Sequence, residues 1–112
     1  MADISMPKAS AALAARRHAL APDADDAFLA LSKAVFAEGA LDKRTKQLIA
    51  VAVAHVTQCP WCIEGHVKGA HREGATPEQI MEAIWIAAEL RAGGAYAHAN
   101  KALAVLDQIE GG

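Results

Sequence analysis

Apolar residues in this chain recur at helical spacing, and no segment alternates apolar and polar residues between turn signals. Ser10 to Leu20 reads as a short alanine-rich helix ended by Pro22. Asp23 is placed to cap a second helix reaching about Ala37, with Phe28, Leu31 and Val35 on one side and Gly39 as its stop. Asp42 is the expected N-cap of a third helix, Lys43 to about Thr57. Its stretch from Leu48 to Val56 is apolar nearly all round, the mark of a buried helix. A fourth begins at Cys59-Pro60, with proline at the first helical position, and ends at Gly74, a glycine suited to a left-handed cap. Thr76-Pro77-Glu78-Gln79 is a capping box that opens a fifth helix through Ile80, Ile84, Ala87, Ala88 and Arg91. Gly93-Gly94 predicts a break or kink before a last helix from about Ala95 to Ile109. The expectation is an all-α chain of five to six helices forming one domain over residues 1–112, with mobile ends at 1–8 and 110–112.

Composition narrows this picture. Of 112 residues 54% are hydrophobic, and 28 of them are alanine. Alanine favours helix and lets helices approach closely. So much apolar surface in so short a chain predicts an oligomer. A net charge of −2 with no basic stripe removes the electrostatic footprint of nucleic-acid binding. No run of about 18 apolar residues is present for a membrane span. The N-terminus lacks the basic start and apolar run of a secretory signal, so the expected compartment is the reducing cytoplasm. Two cysteines there point to catalysis or metal binding before a structural bridge.

The chemistry concentrates in Cys59-Pro60-Trp61-Cys62-Ile63-Glu64-Gly65-His66. On a helix starting here, positions 59, 62 and 66 share one stripe. Cys59 sits at the helix N-terminus, where unpaired N–H groups and the dipole favour a thiolate. Cys62 lies one turn deeper, and His66 is placed to take its proton. Two thiols one turn apart can close a disulfide. Three readings stand side by side: thiol–disulfide redox chemistry, a metal site of Cys59, Cys62, His66 and either His55 or His98, and two cysteines that are merely small buried apolar residues. The spacing favours the first. Structural zinc wants a second ligand pair on its own knuckle, and none is spaced for it. No metal is therefore assigned. A thioredoxin-like domain is excluded by the missing βαβ pattern.

Together with Gly39-Ala40-Leu41-Asp42, Thr45-Lys46-Gln47-Leu48-Ile49-Ala50, Gly74-Ala75-Thr76 and Glu78-Gln79-Ile80-Met81-Glu82-Ala83, the Cys-x-x-Cys-x-x-x-His segment resembles a known family. These are the AhpD-like proteins related to carboxymuconolactone decarboxylase, all-α alkylhydroperoxidases and their relatives, and the likeness runs from Phe36 to Leu106. The decarboxylase branch generally lacks the cysteine pair, so the resemblance favours the redox branch. It implies that Cys62 attacks a hydroperoxide, that Cys59 resolves the sulfenic acid and exchanges with an external lipoyl or thioredoxin-like dithiol, and that His66 belongs to a proton relay. It implies no bound cofactor, and a trimer or hexamer of identical chains. Composition and spacing alone make Cys59 the better thiolate; for the peroxide step the family's assignment is followed.

The relay departs from the family at one position. A glutamate is expected 12 residues before the first cysteine, and this chain has Gln47, which can orient a histidine by hydrogen bonding but accepts no proton at neutral pH. Glu38, Glu82 or His55 is then a candidate relay member. His55 also reads as a hydrogen-bonded core residue, His71 as surface, and His98 as a lesser candidate for a cleft. Trp61 stands where some peroxidases have a second histidine; Trp61 and Trp85 read as packing or interface groups. The expected function is hydroperoxide reduction through the dithiol. The alternatives are a non-peroxidatic disulfide reductase or redox sensor of the same fold, a lyase or isomerase acting on a small lactone, and a metal-binding protein.

Overall fold

The computed structural model describes residues 6–111, all of whose regular structure is helical: α1 (Ala11–Leu20), α2 (Pro22–Phe36), α3 (Lys43–Thr57), α4 (Pro60–Arg72) and α5 (Pro77–Gly111). Local hydrogen bonds explain most of these limits. Ser10 accepts the Leu13 N–H at 3.2 Å and opens α1. Asp42 accepts the Thr45 N–H at 2.7 Å and opens α3. That N–H, with the Thr45 hydroxyl and the Arg44 charge behind it, holds the Asp42 carboxyl below its ordinary pKa. The stabilisation is therefore full above the ordinary aspartate range and is lost as pH falls through the depressed value. Thr76 and Gln79 exchange side-chain bonds with each other's N–H, at 3.1 and 2.9 Å, and open α5. Gly74, at φ +87°, closes α4, with Ala75 N–H on Ala70 O and Gly74 N–H on His71 O.

Two expectations about helix limits are corrected. The second helix begins at Pro22 with Ala21 at its N-cap, so Asp23 lies in the first turn rather than capping it. Proline's fixed φ and missing N–H suit that first position. The same helix ends at Phe36 with Ala37 as its C-cap, where it was expected. Its terminal carbonyls are taken by a side chain from another helix: Lys46 Nζ donates to Val35 O at 2.8 Å and to Ala37 O at 2.6 Å. Finally, α5 runs unbroken through Gly93-Gly94 for 35 residues, about 50 Å. Two glycines cost a helix roughly 1 kcal/mol each, but without a proline or a competing cap the backbone ladder continues across them.

Helices α3, α4 and α5 share the core. Val51, Ala70 and Ala75 are its buried centre, with Leu48, Val67, Ile80 and Ile84 packed around them. Ala54, Ala83 and Ala87 are also buried, and side chains this small let the helices come close. The third helix is covered on one side only: Ile49 and Val53 remain about half exposed, so the expectation of a wholly buried helix fails for the isolated chain. Large apolar side chains such as Leu20, Phe28, Trp85, Tyr96 and Ile109 stand in solvent. The accessible surface is 8870 Å², where a compact monomer of this mass exposes about 5,900 Å². The radius of gyration is 19.8 Å, against about 13 Å for a compact chain of this length. Among the described residues, no helix is long and apolar enough to cross a membrane.

A methyl added at Gly94 meets no atom within 4 Å. Gly94→Ala is expected to raise the unfolding free energy by roughly 0.5–1 kcal/mol in urea titrations. A loss of stability would show that the helix does break at that residue.

Candidate active site

The site is assembled where α3 delivers the chain into α4. Gln58, left-handed at φ 56°, ends α3, and Cys59 then serves as N-cap of α4 with Pro60 behind it. Cys59 Sγ accepts the Cys62 N–H at 3.2 Å. The two cysteines are joined as a disulfide with their Cα atoms 5.2 Å apart, so one turn of helix brings both sulfurs within bonding reach. His66 follows one turn later. Its Nδ1–H donates to Gln47 Oε1 at 2.9 Å, and its ring stacks on Phe36 with centroids 5.0 Å apart and planes 24° from parallel. Because an amide oxygen only accepts, Nδ1 carries a proton in this bond.

Cys62 and His66 line one cavity of about 450 Å³ between α2, α3 and α4. Its walls are mainly apolar, from Val35, Phe36, Leu41, Ile49 and Val53, with Lys46 at the edge. A redox-active cysteine pair and an imidazole therefore share a pocket that admits a small molecule with an apolar body. The Gln47 bond and the Phe36 stack together hold the ring in one plane beside the cavity.

Of the expected site residues, the fold brings Cys59, Cys62, His66 and Gln47 together. Glu38 is exposed in the α2–α3 connection, and Glu82 is exposed on α5 beside a separate groove that also touches Thr45 and Gln79. His66 forms its hydrogen bond with Gln47 and with neither carboxylate. His55 Nδ1–H donates to Val51 O of its own helix at 2.7 Å. His98 does the same with Gly94 O at 2.6 Å and is exposed, and His71 is exposed as expected. Among the described residues, no three His, Cys, Asp or Glu side chains converge as a metal site.

Two participants escaped sequence reasoning. Phe36 entered the sequence reading only as the start of the family likeness, yet its ring stacks on the imidazole. Gly69 is buried one turn beyond His66, and a methyl there would sit 2.5 Å from Gln47 Oε1 and 2.7 Å from its Cδ. The Gln47 side chain thus occupies the space a glycine leaves. A glycine three residues past the histidine, within a helix that would otherwise exclude it, was the available signal.

The profile of the carboxymuconolactone decarboxylase family matches residues 22–105, a stretch that contains every one of these site residues. The chain belongs to that family. Within the same comparisons it is 84% identical over 111 residues, covering 99% of both chains, to uncharacterized protein 4 in the cox locus of Paracoccus denitrificans. A shorter likeness, 39% over 51 residues, is to the alkyl hydroperoxide reductase AhpD of Corynebacterium kroppenstedtii; it covers 46% of this chain and 29% of that one. Among solved structures, a carboxymuconolactone decarboxylase family protein from Legionella pneumophila in its apo form superposes with a TM-score of 0.66 at 34% identity, covering 84% of each chain. A protein from Methanobacterium thermoautotrophicum superposes at 0.70 with 34% identity, over 73% of this chain and 92% of its own. The family is thus AhpD-like and all-α, as the resemblance in the sequence implied.

Gly69→Ala should push Gln47 off His66. The folded protein is expected to lose about 1–3 kcal/mol, and the His66 ring should lose its single tautomer in nitrogen-15 NMR spectra. A spectrum unchanged from wild type would show that Gln47 does not depend on the missing side chain.

Proposed function

We propose that this chain is a thiol-dependent hydroperoxide reductase working through Cys62 and Cys59. The observation that carries this reading is that Cys62 and His66 line one apolar cavity while Cys59 lies within disulfide reach at the helix start. In the reduced protein His66 Nε2 takes the Cys62 proton. The Cys62 thiolate attacks the terminal oxygen of the hydroperoxide, the O–O bond breaks, and the alcohol leaves with the proton from His66. Cys62 is then a sulfenic acid. The Cys59 sulfur attacks it, water leaves, and the disulfide forms before over-oxidation. An external dithiol returns both thiols, so one hydroperoxide and one dithiol give one alcohol, one water and one disulfide. No bound cofactor takes part.

Gln47 shapes the rate. It holds the tautomer that frees Nε2, but a neutral amide stabilises an imidazolium less than a carboxylate does. This same observation favours a second reading, a dithiol redox or sensor protein of the same fold that is oxidised without rapid turnover. Cysteines requiring repeated reduction fit the reducing cytoplasm. The surplus of exposed apolar surface supports a homo-oligomer, since identical chains packed together would cover the open sides of α3 and α5. Sedimentation should then give a multiple of the 11.7 kDa chain mass, and a stable monomer would overturn that part.

Consumption of an organic hydroperoxide with dihydrolipoamide tests the reaction. Cys62→Ser is expected to abolish turnover, Cys59→Ser to accumulate over-oxidised Cys62, and Gln47→Glu to raise the rate about tenfold through a charge-assisted bond to His66. Full activity in Cys62→Ser would overturn the reading. Oxidation by peroxide without turnover in wild type would select the sensor.

A further inference from the structure

Lys46 precedes Gln47 on α3, and its side chain reaches a different helix. Its Nζ donates to Val35 O at 2.8 Å and to Ala37 O at 2.6 Å, carbonyls of the residues on either side of Phe36. Phe36 is the last residue of α2, and its ring stacks on the His66 imidazole with centroids 5.0 Å apart. The same imidazole donates from Nδ1 to Gln47 Oε1 at 2.9 Å. Successive residues of a helix point about 100° apart around its axis. Lys46 therefore reaches α2 while Gln47 reaches α4, and the two meet again at one ring.

The end of α2 needs such an anchor. That helix contains no buried residue, so the hydrophobic effect does little to fix where it ends. A half-buried ammonium giving two charge-assisted bonds at the negative end of the helix dipole supplies the anchorage instead. Lys46 makes no ion pair among the described residues, so its charge is spent on those carbonyls. Lys46, Phe36, His66 and Cys62 all line the same cavity.

We propose that Lys46 is a positioning residue for His66. It clasps the end of α2 so that Phe36 is held flat against the imidazole beside Cys62. The proposal rests on the reading above in taking His66 as the group that accepts the Cys62 proton. That step needs no other reactant: the thiol proton moves to the imidazole, leaving a thiolate and an imidazolium. The Gln47 bond fixes one atom of the ring, and the Phe36 face, 24° from parallel, fixes its plane. Either contact alone leaves the ring free to turn. In this role Lys46 touches neither sulfur nor substrate, and its effect passes through Phe36.

Alkylation of the reduced protein by iodoacetamide tests this, because it reads the Cys62 thiolate without any hydroperoxide. Cys59→Ser leaves Cys62 as the single thiol. In that parent, rates are followed across the pH range for Lys46→Met, Phe36→Leu and their combination. Each single change is expected to raise the midpoint by about half to one pH unit and to slow alkylation about three- to tenfold at neutral pH. The double variant should be no slower than the slower single, since both break one chain of contacts. Effects that multiply in the double variant would show that Lys46 acts by its charge alone and would overturn the clasp, as would an unchanged rate in either single. A second readout needs no kinetics: the His66 ring protons, shifted upfield in NMR spectra by the Phe36 face, should move back in Lys46→Met although Phe36 is still present. Their staying in place would also overturn the clasp, and this readout decides the matter if Phe36→Leu loses its helical circular dichroism. His66→Ala alkylating as fast as the parent would overturn the base assignment of the reading above, while the NMR shift still decides the clasp.

Discussion

The close approach of α3 to α4 is the constraint on which the site depends. Gly69 presents no side chain to α3, and Gln47 fills the space that is left. Beside it Val51 and Ala70 are wholly buried, so the two helices are held at a separation that small residues set. That separation puts Gln47 Oε1 on His66 Nδ1. Phe36 supports the ring from α2. A bulkier residue at 69 would disturb the amide, the imidazole and the cavity in turn.

Helix ends do much of the remaining work. The C-terminal carbonyls of α2 are bonded by Lys46 from α3, and Val56 O near the end of α3 accepts from Arg91 of α5 at 2.5 Å. Each cation meets the negative end of a helix dipole and fastens one helix to another. At the opposite pole of α4 stands a sulfur where a serine or aspartate is usual. A cap that is also a thiol is stabilised as an anion by the N–H groups it caps. Cys62, one turn deeper, lines the same cavity as His66. Structure and reactivity therefore share the same few atoms at the head of α4.

The alanine content takes on a different meaning once the chain is folded. In the core of α3, α4 and α5 it permits close packing, at Ala54, Ala70, Ala75, Ala83 and Ala87. Along the second half of α5, from about Ala95 to Gly111, it belongs to a helix whose residues are exposed on every side. Apolar residues there and on α2 gain nothing from exposure, since their burial is worth about 25 cal/mol per Å². An extended chain with so small a core would gain stability from covering those faces.

What the sequence by itself determined were features built from hydrogen bonds spanning three or four residues. The caps at Ser10, Asp42 and Thr76-Gln79, the proline-marked start after Cys59 and the left-handed end at Gly74 are of this kind, and so is the reach from Cys59 to Cys62. Elsewhere local signals misled: Asp23 gave way to Ala21 at the start of α2, and Gly93-Gly94 did not interrupt a helix with nothing to replace its backbone bonds. Only the tertiary structure decided that His66 pairs with Gln47, 19 residues away, rather than with Glu38 or Glu82. It also placed Phe36 and Gly69 around that pair. These are consequences of how separate helices pack, and the spacing of residues along one helix carries no record of which neighbour will face it.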